Sequence, residues 1–486
     1  MSSQPLTAGV VGAGIAGLSA AIALRRAGLQ VEVYERSQFK NEIGTAISAP
    51  PNATAALRRW GFDFVAAKAV PNLCTRYASA EDLATAFEFQ YQDIEAMMGS
   101  PCLSFHRVDL HSGLRALALE ERKASAINGE SEDETRRGKG IPVAIRLGYV
   151  VQSIDCERGV LTLADGTGVQ KDLIIIADGA HSSTLLTDFL GRPAPAQPTG
   201  RSVYRWLVSM DDVMADPELA EQYRNKLPGF LGWSDAAKNI LWVNYTCRGG
   251  DVLNNAVMHN TEDLSPSQGD WHKNERGCSN EGDILWHAPV AKKAVLETLS
   301  NFHPATRRIV SMASEDGIRV HRLFKRSPLK SFVRGRAAII GDAAHVMLPT
   351  HAAGAAVAIE SAGVLEVLFR DVKNDISSFP NDGVEGNQEM DGGRERIVKE
   401  RLQLFDKLRI PRCNLAMLMS NAGPEGLRVP GVEQEIRKFY SSPLPPKDAL
   451  PWSSESREVL FHYNTFQEAE QVLRDEKAKR SPGTGN

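Results

Sequence analysis

Three short glycine signatures, each placed directly after an apolar run, constrain this chain more than any other feature. They are Gly12-Ala13-Gly14-Ile15-Ala16-Gly17 after Gly9-Val10-Val11, Ala177-Asp178-Gly179 after Leu173-Ile174-Ile175-Ile176, and Gly341-Asp342-Ala343-Ala344-His345 after Ala337-Ala338-Ile339-Ile340. A short continuous apolar run closed by a glycine turn reads as a strand of a parallel sheet, buried on both faces. Signatures spread so far along one chain predict a discontinuous domain that wraps an extended dinucleotide from both ends.

The first signature follows from backbone physics. Gly12 permits the tight turn, Gly14 lets the backbone approach a pyrophosphate, and Gly17 lets the helix lie close on the strand. Ile15 to Ala27 is apolar and Ala-rich, and Gly28 follows as a helix stop. The start of that helix points free N–H groups and the positive dipole end at the phosphates. A second strand, Val31-Glu32-Val33-Tyr34, ends at Glu35-Arg36, and Glu35 lies 18 positions beyond Gly17. That is close to the roughly 20 expected of a ribose-binding acid. A carboxylate there accepts from free ribose hydroxyls, so FAD and NAD both fit this element. A nicotinamide-only dehydrogenase would leave the second and third signatures idle.

Together the three signatures resemble those of the FAD-dependent aromatic hydroxylases, the group A flavoprotein monooxygenases, and within them the salicylate hydroxylase-like branch. The resemblance runs from about Ala8 to about Ser420 and includes Asn41-Glu42-Ile43-Gly44-Thr45-Ala46-Ile47, Pro51-Asn52-Ala53 and His106-Arg107-Val108-Asp109-Leu110. It implies FAD as cofactor, with NADPH or NADH as co-substrate and O2 as oxidant. It implies cofactor-binding positions at Gly12, Gly14, Ala16, Gly17, Glu35, Arg36, Gly44, Ala46, Arg107, Asp178, Asp342, Gly354 and Ala355. Among these, Asp342 is expected on the ribityl chain, Arg107 at the flavin side, and Asp178-Gly179 near both nucleotides. The chain departs from the family in two places. Leu185 stands where an arginine usually follows the Asp-Gly turn, and Ala352-Ala353-Gly354-Ala355-Ala356 replaces Gly-Gln-Gly-Ala-Asn. Backbone donors at that helix start would stabilise charge on the flavin, so alanine is acceptable there provided φ stays negative.

Composition agrees with a soluble enzyme. The chain has 486 residues, 42% hydrophobic and 24% charged, with 56 basic and 60 acidic residues for a net charge of −4. No basic stripe interleaved with aromatics speaks for nucleic acid, and no apolar run approaches the roughly 18 residues of a membrane span. No leader precedes the first strand, so a cytoplasmic location is expected. The six cysteines (Cys74, Cys102, Cys156, Cys247, Cys278, Cys413) lack metal or redox spacing and read as reduced packing residues. No metal site is expected, and the protein is expected as monomer or homodimer.

The fold class expected is α/β: a Rossmann-like FAD-binding domain with an inserted β-sheet substrate domain and a helical C-terminal region. The FAD unit is drawn as residues 1–75, 101–191 and 326–421, the substrate sheet as 76–100 and 192–325, and the C-terminal helical extension as 422–486. Helix is expected over Leu110 to Ala118, and strand near Thr85 to Phe89 and over Val160 to Leu163, Ser202 to Val208 and Ile240 to Tyr245. Ala124 to Gly140 and Asn374 to Gly393 read as polar insertions, and Asn254 to Asp283, with Trp271 and His272, as a long polar connection.

Arg205, in Val203-Tyr204-Arg205-Trp206-Leu207, and Tyr245, in Trp242-Val243-Asn244-Tyr245, are the catalytic candidates. Their segments resemble strands of phenol-hydroxylating members in which an arginine and a tyrosine orient a phenolate; a strand-end arginine and a half-buried tyrosine are the plainer alternative. The implied function is hydroxylation of a phenolic or aromatic small molecule through a flavin C4a-hydroperoxide. The same scaffold could serve epoxidation, decarboxylative hydroxylation or dearomatisation in secondary metabolism, or a flavin-binding protein without turnover. His345 is expected to serve its turn rather than a metal, and Glu360 to be a structural hydrogen-bonding group.

Overall fold

The computed structural model describes residues 4–39, 44–120, 141–180, 184–263, 287–372, 375 and 387–480. The motif residues Asn41-Glu42-Ile43, the polar stretch 124–140, Trp271, His272 and Cys278 lie outside them.

The apolar runs form one sheet. Its strand order is Val333–Arg334, Ala337–Ile339, Leu173–Ile176, Thr7–Val11, Gln30–Glu35 and Ala144–Leu147, parallel except for the first. All four residues of Leu173–Ile176 and all three of Ala337–Ile339 are buried, as expected of strands covered on both faces. The helix Ile15–Arg26 follows the first strand, ends at Ala27, and passes the chain on through Gly28. The helix Arg107–Leu119 begins three residues before the expected start.

The second large sheet has eight strands and is antiparallel save for one pair. Its order is His287–Pro289, Arg319–Lys325, Gln197–Ser209, Val252–Asn260, Ile240–Cys247, Gly229–Asp235, Cys74–Ser79 and Thr85–Gln90. Alternation along these strands sorts the side chains into two layers. Tyr204, Trp206, Trp233 and Trp242 point to one face and form a second core with Val295, Ile309 and Val310 from overlying helices. Val203, Arg205, Val243 and Tyr245 fall on the other face, which looks back toward the first sheet.

Asn254 to Asn260, read from sequence as the start of a polar connection, belongs to the central strand Val252–Asn260. Its buried asparagines are satisfied rather than solvated. Asn255 accepts from the Trp242 indole at 3.0 Å and donates to the Leu253 carbonyl at 3.2 Å, and Asn254 accepts from the Ala46 amide at 3.1 Å. Buried amides with full partners are compatible with a sheet core. Likewise residues 387–393, assigned to an insertion, already belong to the long helix Asn387–Ala422.

The C-terminal segment is packed into the cofactor half. Trp452, Phe461 and Phe466 join its core. Beneath it lies a buried ion cluster centred on Glu360, which is fully enclosed and bonds Arg409 at 2.8 Å, Arg412 at 2.8 Å and the Asn52 amide at 2.6 Å. Arg412 also donates to the Val459 carbonyl, and Thr465 to the Glu360 carbonyl. Two cations held by one anion keep the Glu360 carboxyl ionised against its burial. Among the described residues no helix is long and apolar enough to cross a membrane. Five described cysteines are buried and unpaired.

Candidate active site

The three signatures touch one another. Gly12 has φ +95°, and a β-carbon on it would stand 2.5 Å from the Ala177 carbonyl oxygen. Gly341 has φ +65°, and a β-carbon there would stand 2.7 Å from that of Ala16. Both positions combine left-handed backbone with close approach, and only glycine meets both demands. Arg326, which the sequence did not single out, ties the second signature to the third. It donates to the Ala194 carbonyl at 3.1 Å and the Ala343 carbonyl at 2.6 Å, and the charges of Asp178 and Asp342 partly offset the depression that burial imposes on it.

A cavity of about 500 Å³ opens over these turns and extends under the eight-stranded sheet. It brings together Gly14, Ala16, Ala46, Arg107, Asp342, Gly354 and Ala355 from the expected cofactor set, with Arg205 and Tyr245 from the catalytic pair. The other expected residues stand behind or beside its wall. Gly17 is buried inside the first helix, Gly44 packs on the His106 ring, and Asp178 sits between the lining residues Ala177 and Gly179. Arg36 is exposed beyond the strand end and does not reach the cavity. Leu185, the departure from the family's arginine, is buried in the core.

Glu35 is drawn inward. Its two carboxylate oxygens accept from the amides of Ala13 and Ser37, each at 2.7 Å, and so brace the glycine turn. Each oxygen retains a lone pair for a further donor. Asp342 lines the cavity as an exposed side chain, and desolvation by the protein around it raises its pKa against the opposing charges of His345, Arg107 and Arg326. His345 does not serve its turn by side-chain bonding, since backbone bonds to Gly341 make the turn. Its ring is buried against Phe332, with neither nitrogen hydrogen-bonded among the described residues, and burial lowers its pKa.

Two helix starts face this cavity. Ile15–Arg26 begins at Gly14 with no side-chain cap and no acid in its first turn, and a β-carbon at Gly14 would meet no atom within 4 Å. Ala353–Phe369 likewise begins uncapped and without an acid. Free amides at two dipole ends suit a ligand carrying negative charge at two separated places. An open glycine, free backbone donors and an acid at a strand end fit the diphosphate, ribityl and ring portions of FAD. The alanine condition fails at one position: Ala352 has φ +51°. A left-handed alanine costs about 1–2 kcal/mol, so strain is stored where the helix meets the cavity.

On the roof, Arg205 and Tyr245 lie on strands flanking Val252–Asn260, with Ala256 paired opposite Arg205 and Asn254 opposite Tyr245. Arg205 bonds only the Thr45 hydroxyl, at 3.3 Å, and has no carboxylate partner among the described residues. Burial depresses its pKa, and the Tyr245 phenol partly offsets that. Burial pushes the Tyr245 phenol well above its ordinary value, so it stays a neutral donor. Phe230, Tyr77 and Trp452, none of them legible as site residues, supply the aromatic surface. No cluster of three or more His, Cys, Asp or Glu groups fit for a metal occurs among the described residues.

Comparison with known proteins places this geometry. Residues 10–47 match the NAD(P)-binding Rossmann-like domain. The chain is 30% identical over 479 residues to the FAD-dependent monooxygenase cfoG of Aspergillus candidus, covering 96% of this chain and 94% of that one. It is 29% identical to hispidin-3-hydroxylase of Neonothopanus nambi over 74% of this chain and 79% of that one. Its fold matches a salicylate hydroxylase solved with its substrate, at TM-score 0.65 and 22% identity over 96% and 98% of the two chains. The chain therefore belongs to the FAD-dependent monooxygenases. It is an oxidoreductase that uses FAD and NAD(P)H.

Proposed function

We propose that this monooxygenase hydroxylates a phenolic small molecule, bound as its phenolate beside Arg205 under the eight-stranded sheet. The overall change is substrate C–H plus O2, NAD(P)H and a proton, giving C–OH, water and NAD(P)+. One observation carries the reading: a half-buried guanidinium lining a largely apolar cavity, hydrogen-bonded to a single hydroxyl among the described residues. A partly desolvated cation without an anion is costly, and an anionic ligand removes that cost. The names of hispidin-3-hydroxylase and of 3-amino-4-hydroxybenzoate 2-monooxygenase from Streptomyces cremeus, 28% identical over 75% of this chain, support an oxygenated ring as substrate.

FAD, when bound, supplies the reduction of oxygen and its transfer. The cradle around Gly12 and Gly14, with Glu35, would hold the diphosphate and adenosine, Asp342 the ribityl chain, and the Ala353–Phe369 helix start the ring edge. Arg205 favours the ionised phenol by charge, and Tyr245 donates to the phenolate oxygen and fixes the ring's rotation. An electron-rich phenolate ring is the form that attacks an electrophilic oxygen. Phe230, Val243 and Leu241 exclude water from the reacting space.

Arg205→Ala tests this. The variant is expected to retain FAD but to lose most product per NAD(P)H consumed, with hydrogen peroxide accounting for the difference. Raising the pH should restore part of the coupling, because bulk hydroxide then supplies the phenolate. Wild-type coupling in the variant would leave Arg205 a structural strand residue.

A further inference from the structure

We infer that Trp452, supplied by the C-terminal segment, sets the length of the substrate cavity and so selects phenols by the apolar group they carry. The inference rests on the phenolic reading above. Trp452 and its neighbour Pro451 line the same cavity as Arg205 and Tyr245. Its indole packs on Phe230 with ring centroids 4.6 Å apart, and Phe230 in turn meets Tyr245 edge-on at 4.9 Å. A substrate held by its oxygen at Tyr245 therefore meets Phe230 and then Trp452 along this wall.

What stands behind the indole makes it a partition. Trp452 stacks on Tyr91 at 6.2 Å and 18°, and the Arg457 guanidinium lies 4.6 Å over the far ring. Tyr91 and Arg457 line a separate surface groove of about 310 Å³ between the helices Ile94–Met98 and Ser454–Phe461. The Trp452 indole faces the inner cavity, and Tyr91 with Arg457 behind it faces this outer groove.

The partition is held in place by the backbone. Trp452 has φ +69°, a conformation tryptophan rarely adopts, and its carbonyl accepts from Arg457 at 2.5 Å. The ring is 4% exposed and braced on its remaining side by Phe461 at 5.0 Å. A strained residue persists where its surroundings over-determine it, and such sites cluster at ligand-binding positions. Truncating the indole lengthens the cavity as far as the Tyr91 ring and leaves the oxygen-binding end untouched.

The test uses FAD-loaded protein and 4-alkylphenols from methyl to hexyl, with binding read from the perturbation of the bound flavin's visible spectrum. Wild type is expected to weaken sharply at the chain length where the tail meets the indole. Trp452→Ala should move that break to longer chains, improving hexyl relative to methyl binding by about tenfold or more. Trp452→Phe, which keeps most of the packing, should fall between them and serves if the alanine variant does not fold. An unchanged chain-length profile in both variants would overturn the inference and leave the phenolic reading standing. Reduced FAD content in both would overturn it too, making Trp452 a support of the cofactor half. Absence of alkylphenol binding in wild type and variants alike would remove the phenolic reading and the inference together.

Discussion

The cofactor cradle and the cavity roof face each other across one space but are built from different materials. The cradle presents backbone: two uncapped helix starts, glycine turns pressed against each other, and small residues such as Ala16 and Ala355. The roof presents side chains from antiparallel strands: Arg205, Tyr245, Phe230, and asparagines that bridge to the cradle, as Asn254 does to the Ala46 amide. The backbone part of the cradle is fixed by chain geometry and can be broken only by distorting the fold, its acidic side chains being the exception. A side-chain site can be redrawn one residue at a time with the fold intact. On the proposed reading, the cradle holds what stays constant and the roof what distinguishes one substrate from another.

Substitutions on the two sides should separate accordingly. The largest effect is expected from Gly12→Ala, which places a β-carbon 2.5 Å from the Ala177 carbonyl at φ +95°. Its cost should exceed the roughly 1–3 kcal/mol of ordinary overpacking, measured as loss of soluble folded protein; normal yield with normal FAD content would break the contrast. Next comes Asp342→Ala, which removes a charged acceptor worth about 1.5–3 kcal/mol. FAD affinity should fall roughly ten- to hundredfold while the fold survives.

The same residue makes a pH prediction of definite sign. The folded protein raises the Asp342 pKa above its ordinary 3.8. Its contribution to stability is therefore full below that value and lost as pH rises through the raised one. FAD-free Asp342→Asn should melt above FAD-free wild type at pH 7, and the gap should close as pH is lowered toward 4. A gap independent of pH would show that the carboxyl is not strained by burial.

On the roof, Tyr245→Phe removes one neutral hydrogen bond, about 0.5–1.5 kcal/mol. It should weaken coupling several-fold and leave FAD content alone; loss of FAD would place this tyrosine on the cradle's side. The smallest effect expected is a gain. Ala352→Gly relieves a left-handed alanine and should stabilise the protein by about 1 kcal/mol, read as a rise in melting temperature.

The cradle was legible in the sequence because its parts are local. Gly12 to Gly17, Glu35, Asp178 and Asp342 lie at fixed spacings after apolar runs, and the backbone needs those residue types there. The roof strands through Ser202 to Val208 and Ile240 to Tyr245 were legible, and resemblance singled out Arg205 and Tyr245; that the two share a face comes from the strand register. Trp452 was not legible, because its place is set by Phe230 and Tyr91, far away in the chain, together with Arg457 five residues on. The Asn254–Asn260 strand was missed because satisfaction of a buried amide is a tertiary fact that composition does not carry. Ala352 misled for a related reason: the residue type favours negative φ, and packing against the cavity overrode it.

The buried cluster at Glu360 also bears on how the molecule comes into being. It joins Asn52, Arg409, Arg412 and Thr465, so it closes only when the last of these has been made. The first strand likewise waits for Leu173–Ile176, and that strand for Ala337–Ile339. A nascent chain carrying only its first signature has the motif but neither the neighbouring strands nor the counterions that hold it. Contacts of such sequence separation make for slow assembly, and long-lived partly folded chains with exposed apolar strands are prone to aggregate. The Glu360 cluster can therefore be completed only once the chain through Thr465 is present. Removing the helix Thr465–Arg480 would take Thr465 from the Glu360 cluster and Phe466 from the core that shapes the cradle.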